Sequence, residues 1–397
     1  MSQDPDPRLL PFHHLQAPYK TFVDNNNTTQ QIQTDILIPK TIPHPPKPKP
    51  LPIIIYFHGG GLVCGSSLYL DWFPSYLLEL AQSTPAVLLA PNYRLLPEAT
   101  IHEVFDDVLD FWAWVHSSPA VPALLANIPS PPNASGRLAI DRSRVLVAGG
   151  SAGGYLSLCL ALRFPEQIRG AVVGYPAFLG LASSFVSAAA GGAAAPAEEE
   201  EEEEEAEAVS SLVARGDEER ESGLSRLSNG EGVPHGATGS SVSTEEEEEM
   251  HHLLNKTLTL ATQHRSPVRT FTDLPDRLDL MNAAMRTGRI AEMFARGVDP
   301  AHDPERSLRY PMERLDDSSI SIPRGGIAIL HGREDEVVPV EDSVRFVAKA
   351  KMVLRAEDAG KVVVTVREGG HGFDTPVGLG DGWLWESLGG VVGGWLE

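Results

Sequence analysis

Short, nearly uninterrupted apolar runs at residues 53–57, 86–90, 145–148 and 170–175 constrain the fold of this chain more than any other feature. Runs of this length, rich in Ile, Val and Leu, match strands buried on both faces of a sheet. Between them lie segments of helical character. Residues 71–82 read as one helix, and residues 102–116 as another, with Val104, Val108, Phe111, Trp112 and Val115 on or near one side. Strand alternating with helix predicts an α/β fold with a mostly parallel central sheet flanked by helices. Residues 19–23 and 31–38 read as earlier strands with polar alternation, joined by the turn-forming Asp24-Asn25-Asn26-Asn27.

The ends of two buried runs carry the chemistry. Gly149-Gly150-Ser151-Ala152-Gly153 follows residues 145–148, and a helix is expected over 152–163. A serine flanked by glycines at minus two and plus two can occupy a strand-to-helix turn too sharp for larger neighbours, which leaves its hydroxyl open to attack a carbonyl. Upstream, His58-Gly59-Gly60-Gly61 closes residues 53–57. Together the two motifs read as a nucleophile and an oxyanion hole for acyl transfer through a covalent serine ester.

A serine nucleophile needs a base, and the base needs a carboxylate to orient it. Of thirteen histidines, His371 in Gly369-Gly370-His371-Gly372-Phe373 follows the last expected strand, residues 362–366, and so emerges at the same sheet edge as Ser151. Three carboxylates, Glu334, Asp335 and Glu336, follow the strand expected over 326–330; Asp335 is the preferred orienter and Glu334 the reserve. The paired histidines His13-His14 and His251-His252 lie in loop-like or charged text, without further ligands placed nearby, so no metal or cofactor is expected.

Between residues 175 and 326 the alternation stops, which predicts an insertion at the carboxyl edge of the sheet, before the last two strands. Nineteen of the 54 acidic residues lie between Pro196 and Glu249. The net charge of -22 therefore belongs mainly to one segment, and a basic surface for nucleic acid is not expected. Residues 188–249, with runs at Glu198 to Glu205 and Glu245 to Glu249, are expected to be disordered low-complexity text. Hydrophobic residues return at helical spacing from His251, as in Leu278, Met281 and Met285, then Ile290, Met293 and Phe294. Residues 177–187 and 250–324 thus form an expected helical lid over a core of 1–176 and 325–397. Cys64 and Cys159 read as buried thiols. No segment has the length of a signal peptide's apolar region or a membrane span, so a cytoplasmic protein is expected.

With His58-Gly59-Gly60-Gly61, Asn92-Tyr93-Arg94-Leu95-Leu96-Pro97-Glu98, Gly149 to Gly154, His331-Gly332 with Asp335 and Val338-Pro339, and His371-Gly372-Phe373, the chain resembles the hormone-sensitive-lipase-like, fold-3 group of α/β-hydrolases. The resemblance implies a carboxylic ester hydrolase acting on a small-molecule ester, with Ser151 as nucleophile, His371 as base and Asp335 as orienter. It also implies that the oxyanion donors are the backbone amides of Gly60, Gly61 and Ala152. Amide, lactone or thioester hydrolysis uses the same machinery, and a non-catalytic receptor on this fold is the reading from another class. The chain departs from the group at Gly150, where an acidic residue is usual, and in having few residues before its first expected strand. Tyr93, Arg94 and Glu98 read as structural.

Overall fold

The computed structural model describes residues 6–24, 26–42, 50–126, 128, 138–181, 243–298, 303 and 305–397. Eight strands form one sheet: β1 (Phe12–Val23), β2 (Thr29–Pro39), β3 (Leu51–Phe57), β4 (Val87–Pro91), β5 (Ile140–Gly150), β6 (Ile168–Gly174), β7 (Ile327–Gly332) and β8 (Val362–Arg367). Their order is β1-β2-β4-β3-β5-β6-β7-β8. The β1–β2 and β2–β4 pairs are antiparallel and every other pair is parallel.

All seven residues of β3 are buried because the sheet is covered on both sides. Alternation divides them: Ile53, Ile55 and Phe57 join one apolar cluster, whereas Ile54 and Tyr56 join the other. The first cluster takes in the helices Ile101–Ser117 and Ala152–Arg163, and the second the helices Ser75–Ser83 and Gly382–Leu396. After β3 the chain turns outward to β4 and then returns to place β5 on the other side of β3. The loops after β3 and β5 therefore meet where the strand order reverses, the position at which open α/β sheets bind ligands.

Several local expectations change. β1 begins at Phe12, so His13-His14 belong to a strand rather than a loop; the antiparallel register Phe12↔Pro39 extends pairing seven residues before Tyr19. His14 Nε2 lies 2.6 Å from the buried carboxylate of Asp35. The helix expected from Asp71 starts only at Ser75, after Pro74, with a single 3-10 turn at Leu70–Trp72 before it. Ala120–Ala126 forms a further short helix and buries Val121 and Leu125. The second glutamate run is not low-complexity coil. It opens the helix Thr244–Thr262, where Ser243 and Glu246 form a reciprocal capping box and Glu245 to Glu247 face the positive end of the helix dipole. The expectation of disorder over residues 188–242 lies outside the described residues.

The inserted segment also contains the helices Leu278–Arg286, Ile290–Ala295, Arg306–Arg309 and Pro311–Arg314. Ile290, Met293 and Phe294 are buried as expected, but the buried face of Leu278–Arg286 is Leu280, Ala283 and Ala284. Leu278, Met281 and Met285 lie at its half-exposed border. Among the described residues, no helix is long and apolar enough to cross a membrane.

Candidate active site

Ser151 stands at the end of β5, immediately before the helix Ala152–Arg163, with φ 55° and ψ -124°. That positive φ is strained for a residue with a side chain, and the surroundings hold it there. The Ser151 N–H donates to the Gly174 carbonyl at 2.9 Å, and Ala177 N–H donates to the Ser151 carbonyl at 3.2 Å. A Cβ at Gly153 would lie 2.0 Å from the Phe57 carbonyl oxygen, and one at Gly149 would lie 2.5 Å from the Gly153 backbone. The flanking glycines are thus required by how closely β3, β5 and the following helix approach at the turn.

The glycine-rich loop after β3 folds against this elbow. A Cβ at Gly59 would stand 3.5 Å from Ser151 Cβ. Val63 and Cys64 N–H both donate to the Gly60 carbonyl, at 2.9 and 3.0 Å, closing a tight turn in which Gly60 has φ 100° and Gly61 φ 61°. Among the described residues, the N–H groups of Gly60, Gly61 and Ala152 donate to no protein acceptor. The loop is buttressed from behind. The Tyr93 ring stacks on His58 at 4.3 Å, and its hydroxyl donates to the His58 carbonyl at 2.7 Å. Burial lowers the His58 imidazole to about pKa 4, so it sits in the core as a neutral ring. Burial likewise pushes the Cys64 thiol up to about 12, and Cys159 is also buried and free.

The acid and base candidates come together after β7 and β8. His371 Nδ1 lies 2.9 Å from Asp335 Oδ2 and 3.1 Å from Oδ1. The Asp335 side chain is fully buried, yet its Oδ1 accepts from Val337 and Val338 N–H, both at 2.9 Å. Burial opposes its charge, but hydrogen bonds from His331 and His371, the charge of His371 and the Val338 amide outweigh it and hold the carboxyl well below the usual range. Being ionised, Asp335 accepts, so Nδ1 of His371 donates and Nε2 is left as the free face of the ring. Glu334, the reserve candidate, is placed differently. Its carboxylate accepts from Gly369 N–H and its own N–H donates to the Gly369 carbonyl at 3.1 Å, so it clasps the histidine loop and not the ring.

The other motif residues brace the scaffold and, through Glu98, tie it to the inserted segment. Arg94 bonds Asp107 through Nε and Nη2 and reaches Glu103 at 2.8 Å, while Glu98 pairs with Arg277 at 2.9 Å. Thr272 exchanges two hydrogen bonds with Gly65, through Oγ1 at 2.8 Å and N–H at 2.9 Å. Met281 reaches the glycine loop itself, its Cγ only 3.1 Å from where a Cβ on Gly61 would lie. Tyr155, on the helix after Ser151, donates to the Arg309 carbonyl at 2.6 Å and meets Phe294 edge-on at 6.0 Å.

Sequence reasoning missed two residues here. Tyr175 packs against the His371 ring at 4.6 Å between centroids, and its hydroxyl occupies the space beside Gly150. Asp374, three residues after His371, is 1% exposed and receives the Tyr175 hydroxyl at 3.0 Å. Their only sequence signal is position: one directly follows β6, and the other lies in the loop that carries His371.

A mostly parallel sheet with a strained serine elbow at its switch point and a Gly-rich loop alongside has the form of the α/β hydrolase fold. The model of the α/β hydrolase fold family matches residues 54–230. The chain is similar to a probable carboxylesterase M8 of Phoma sp., 27% identical over 336 residues, which is 84% of this chain and 82% of that one. It is also similar to the amyloplastic tuliposide A-converting enzyme b1 of Tulipa gesneriana, 38% identical over 136 residues, a third of each chain. A solved structure of a protein of unknown function from Staphylococcus aureus has the same fold, with a TM-score of 0.52 and 16% identity over 96% of this chain and 99% of that one. The chain has the α/β hydrolase fold, and over most of its length it is similar to a protein named as a probable carboxylesterase.

Proposed function

We propose that the protein hydrolyses carboxylic esters of small or medium, largely apolar molecules through Ser151, His371 and Asp335. The observation that carries this reading is the buried, ionised Asp335 held 2.9 Å from Nδ1 of His371, because it leaves Nε2 as the basic atom of a ring at the serine's end of the sheet. His371 takes the Ser151 proton as the hydroxyl attacks the ester carbonyl, and later returns it to the leaving alcohol. The tetrahedral oxyanion is received by the amides of Gly60, Gly61 and Ala152, which have no described protein acceptor. Water activated by His371 then releases the acid. The described helices of the insertion, Thr244–Thr262, Leu278–Arg286, Ile290–Ala295, Arg306–Arg309 and Pro311–Arg314, serve as a lid over the sheet edge, and Met281 lying on Gly61 supports an apolar wall next to the reacting carbonyl.

The reading is tested by turnover of p-nitrophenyl esters of increasing acyl length, matched anilides and thioesters, with His371→Ala alongside. Esters of short and medium chains are expected to turn over fastest, with losses of several orders of magnitude in His371→Ala. Faster anilide or thioester turnover would move the assignment to that bond type, and no turnover of any substrate would favour a ligand receptor.

The oxyanion assignment carries its own prediction. A Cβ at Gly60 would meet the Cys64 carbonyl oxygen at 2.1 Å, at a φ of 100°. Gly60→Ala must therefore displace the loop and its amides. A fall in kcat of at least ~10²-fold is expected, as for loss of one oxyanion donor, with a lower Tm. Wild-type kcat in this variant would remove the Gly60 amide from the site.

A further inference from the structure

We infer that Tyr175 and Asp374 form a positioning pair that fixes the His371 imidazole against the serine elbow. The inference rests on the reading of His371 as the base and deepens it. Neither residue reaches a substrate in this account; both act through His371.

One aromatic ring links the two sides of the site. The Tyr175 and His371 ring centroids are 4.6 Å apart, with the planes inclined at 59°. At its other end, the Tyr175 hydroxyl lies 2.7 Å from where a Cβ on Gly150 would stand, with ring carbons at 3.0 and 3.1 Å. Tyr175 thus fills the space vacated by the missing side chain next to Ser151, and Gly150 is small because that ring is there. The backbone of Tyr175 is held as firmly as its ring. It has φ 33°, a region that residues with side chains rarely enter, and its N–H donates to the Leu330 carbonyl at 2.7 Å. Strain of this kind persists only where the surroundings over-determine it, and such sites cluster where function needs rigidity.

Asp374 supplies the tether. Its buried carboxyl accepts from Tyr175 Oη at 3.0 Å through Oδ1 and from Tyr76 Oη at 3.2 Å through Oδ2. Burying a carboxyl is costly without such partners, and in a low-dielectric interior the bonds are strong and directional. Because Asp374 is in the loop that carries His371, the same carboxyl holds the histidine loop and the ring that abuts it. Phe373 extends the support, stacked on Trp383 at 6.2 Å and edge-on to Tyr175 at 6.4 Å. Asp335 fixes one atom of the imidazole; Tyr175 fixes the plane around it. Both constraints are needed, because a hydrogen bond at Nδ1 alone leaves the ring free to pivot, and displacement by about 1 Å can cost ~10² in rate.

The test is a set of steady-state measurements on a short-chain ester, made on folded protein well below each Tm. Tyr175→Phe keeps the ring and removes the tether; kcat is expected to fall roughly tenfold while KM changes less than about twofold. Asp374→Asn should show the same split. The double variant should be no slower than the slower single one, because the two residues act in series. Tyr76→Phe removes the donor that does not touch His371, so it should lower Tm comparably and kcat much less. Equal kcat losses in Tyr76→Phe and Tyr175→Phe, wild-type kcat in Tyr175→Phe, or failure of all these variants to fold would reduce Asp374 to a structural carboxyl and overturn the inference. Failure of the underlying reading is distinguishable, since His371→Ala would then retain turnover.

Discussion

Ser151→Ala is expected to lower ester turnover by roughly 10⁶-fold while leaving the fold intact, the scale found when a triad serine is removed from a hydrolase whose other parts remain. The loss is large because in the proposed mechanism the hydroxyl forms the covalent intermediate, and neither cysteine can replace it: Cys64 and Cys159 are buried, with thiols held protonated by burial. The fold should survive because the positive φ of Ser151 is set by backbone contacts with Gly174 and Ala177, not by its side chain. The variant is checked by steady-state kinetics beside a thermal melt. An unchanged Tm with residual turnover only from binding and the oxyanion site is the expected pair of results. Turnover within tenfold of wild type would place the nucleophile elsewhere.

Asp335→Asn should cost about 10⁴ in kcat, through the wrong imidazole tautomer. In the native site an ionised carboxylate can only accept, so Nδ1 keeps its hydrogen and Nε2 its lone pair. An asparagine can donate its amide hydrogen to Nδ1, which moves the ring proton to Nε2, where it cannot take the serine's. Glu334→Gln separates the candidates, since among the described residues its carboxylate bonds the Gly369 backbone, a bond that glutamine can also accept; a far smaller loss is expected. The sign of the pH dependence follows from the lowered Asp335 pKa. Its contribution to stability is complete above the unfolded value of about 3.9 and is lost only as pH falls through the still lower folded value. An acid limb of kcat/KM near neutrality therefore does not report Asp335. Equal losses in Asp335→Asn and Glu334→Gln would contradict this division of roles.

Much of this arrangement is legible in the chain because it is written in backbone requirements. Residues 53–57 and 145–148 are unbroken apolar runs because both faces of β3 and β5 are covered, and the glycines at 149 and 153 record how close Phe57 comes. The choice between Glu334 and Asp335 is less legible, because adjacent carboxylates in one loop differ only in the direction that the turn gives them. Strand β1 is underestimated because its residues up to Pro18 read as loop by composition, and only the partner β2 supplies their pairing. Helical period places Met281 and Met285 on the buried face; tertiary contacts rotate the burial to Leu280, Ala283 and Ala284 and leave Met281 on the Gly61 loop. Glu245 to Glu249 resemble the earlier glutamate run until Ser243 caps them into a helix that buries Leu254 and Leu258. Tyr175 and Asp374 are invisible in advance because their meaning lies in a contact across 199 positions of sequence.

The most direct measurement of the central claim is intact-mass and peptide mapping after reaction with a fluorophosphonate, an electrophile that a serine must attack as it attacks an ester. The account predicts one adduct, on the peptide containing Ser151, formed quickly in wild type and absent from Ser151→Ala. It also predicts slow labelling in His371→Ala. An adduct on another residue, or equal labelling of wild type and Ser151→Ala, would contradict it.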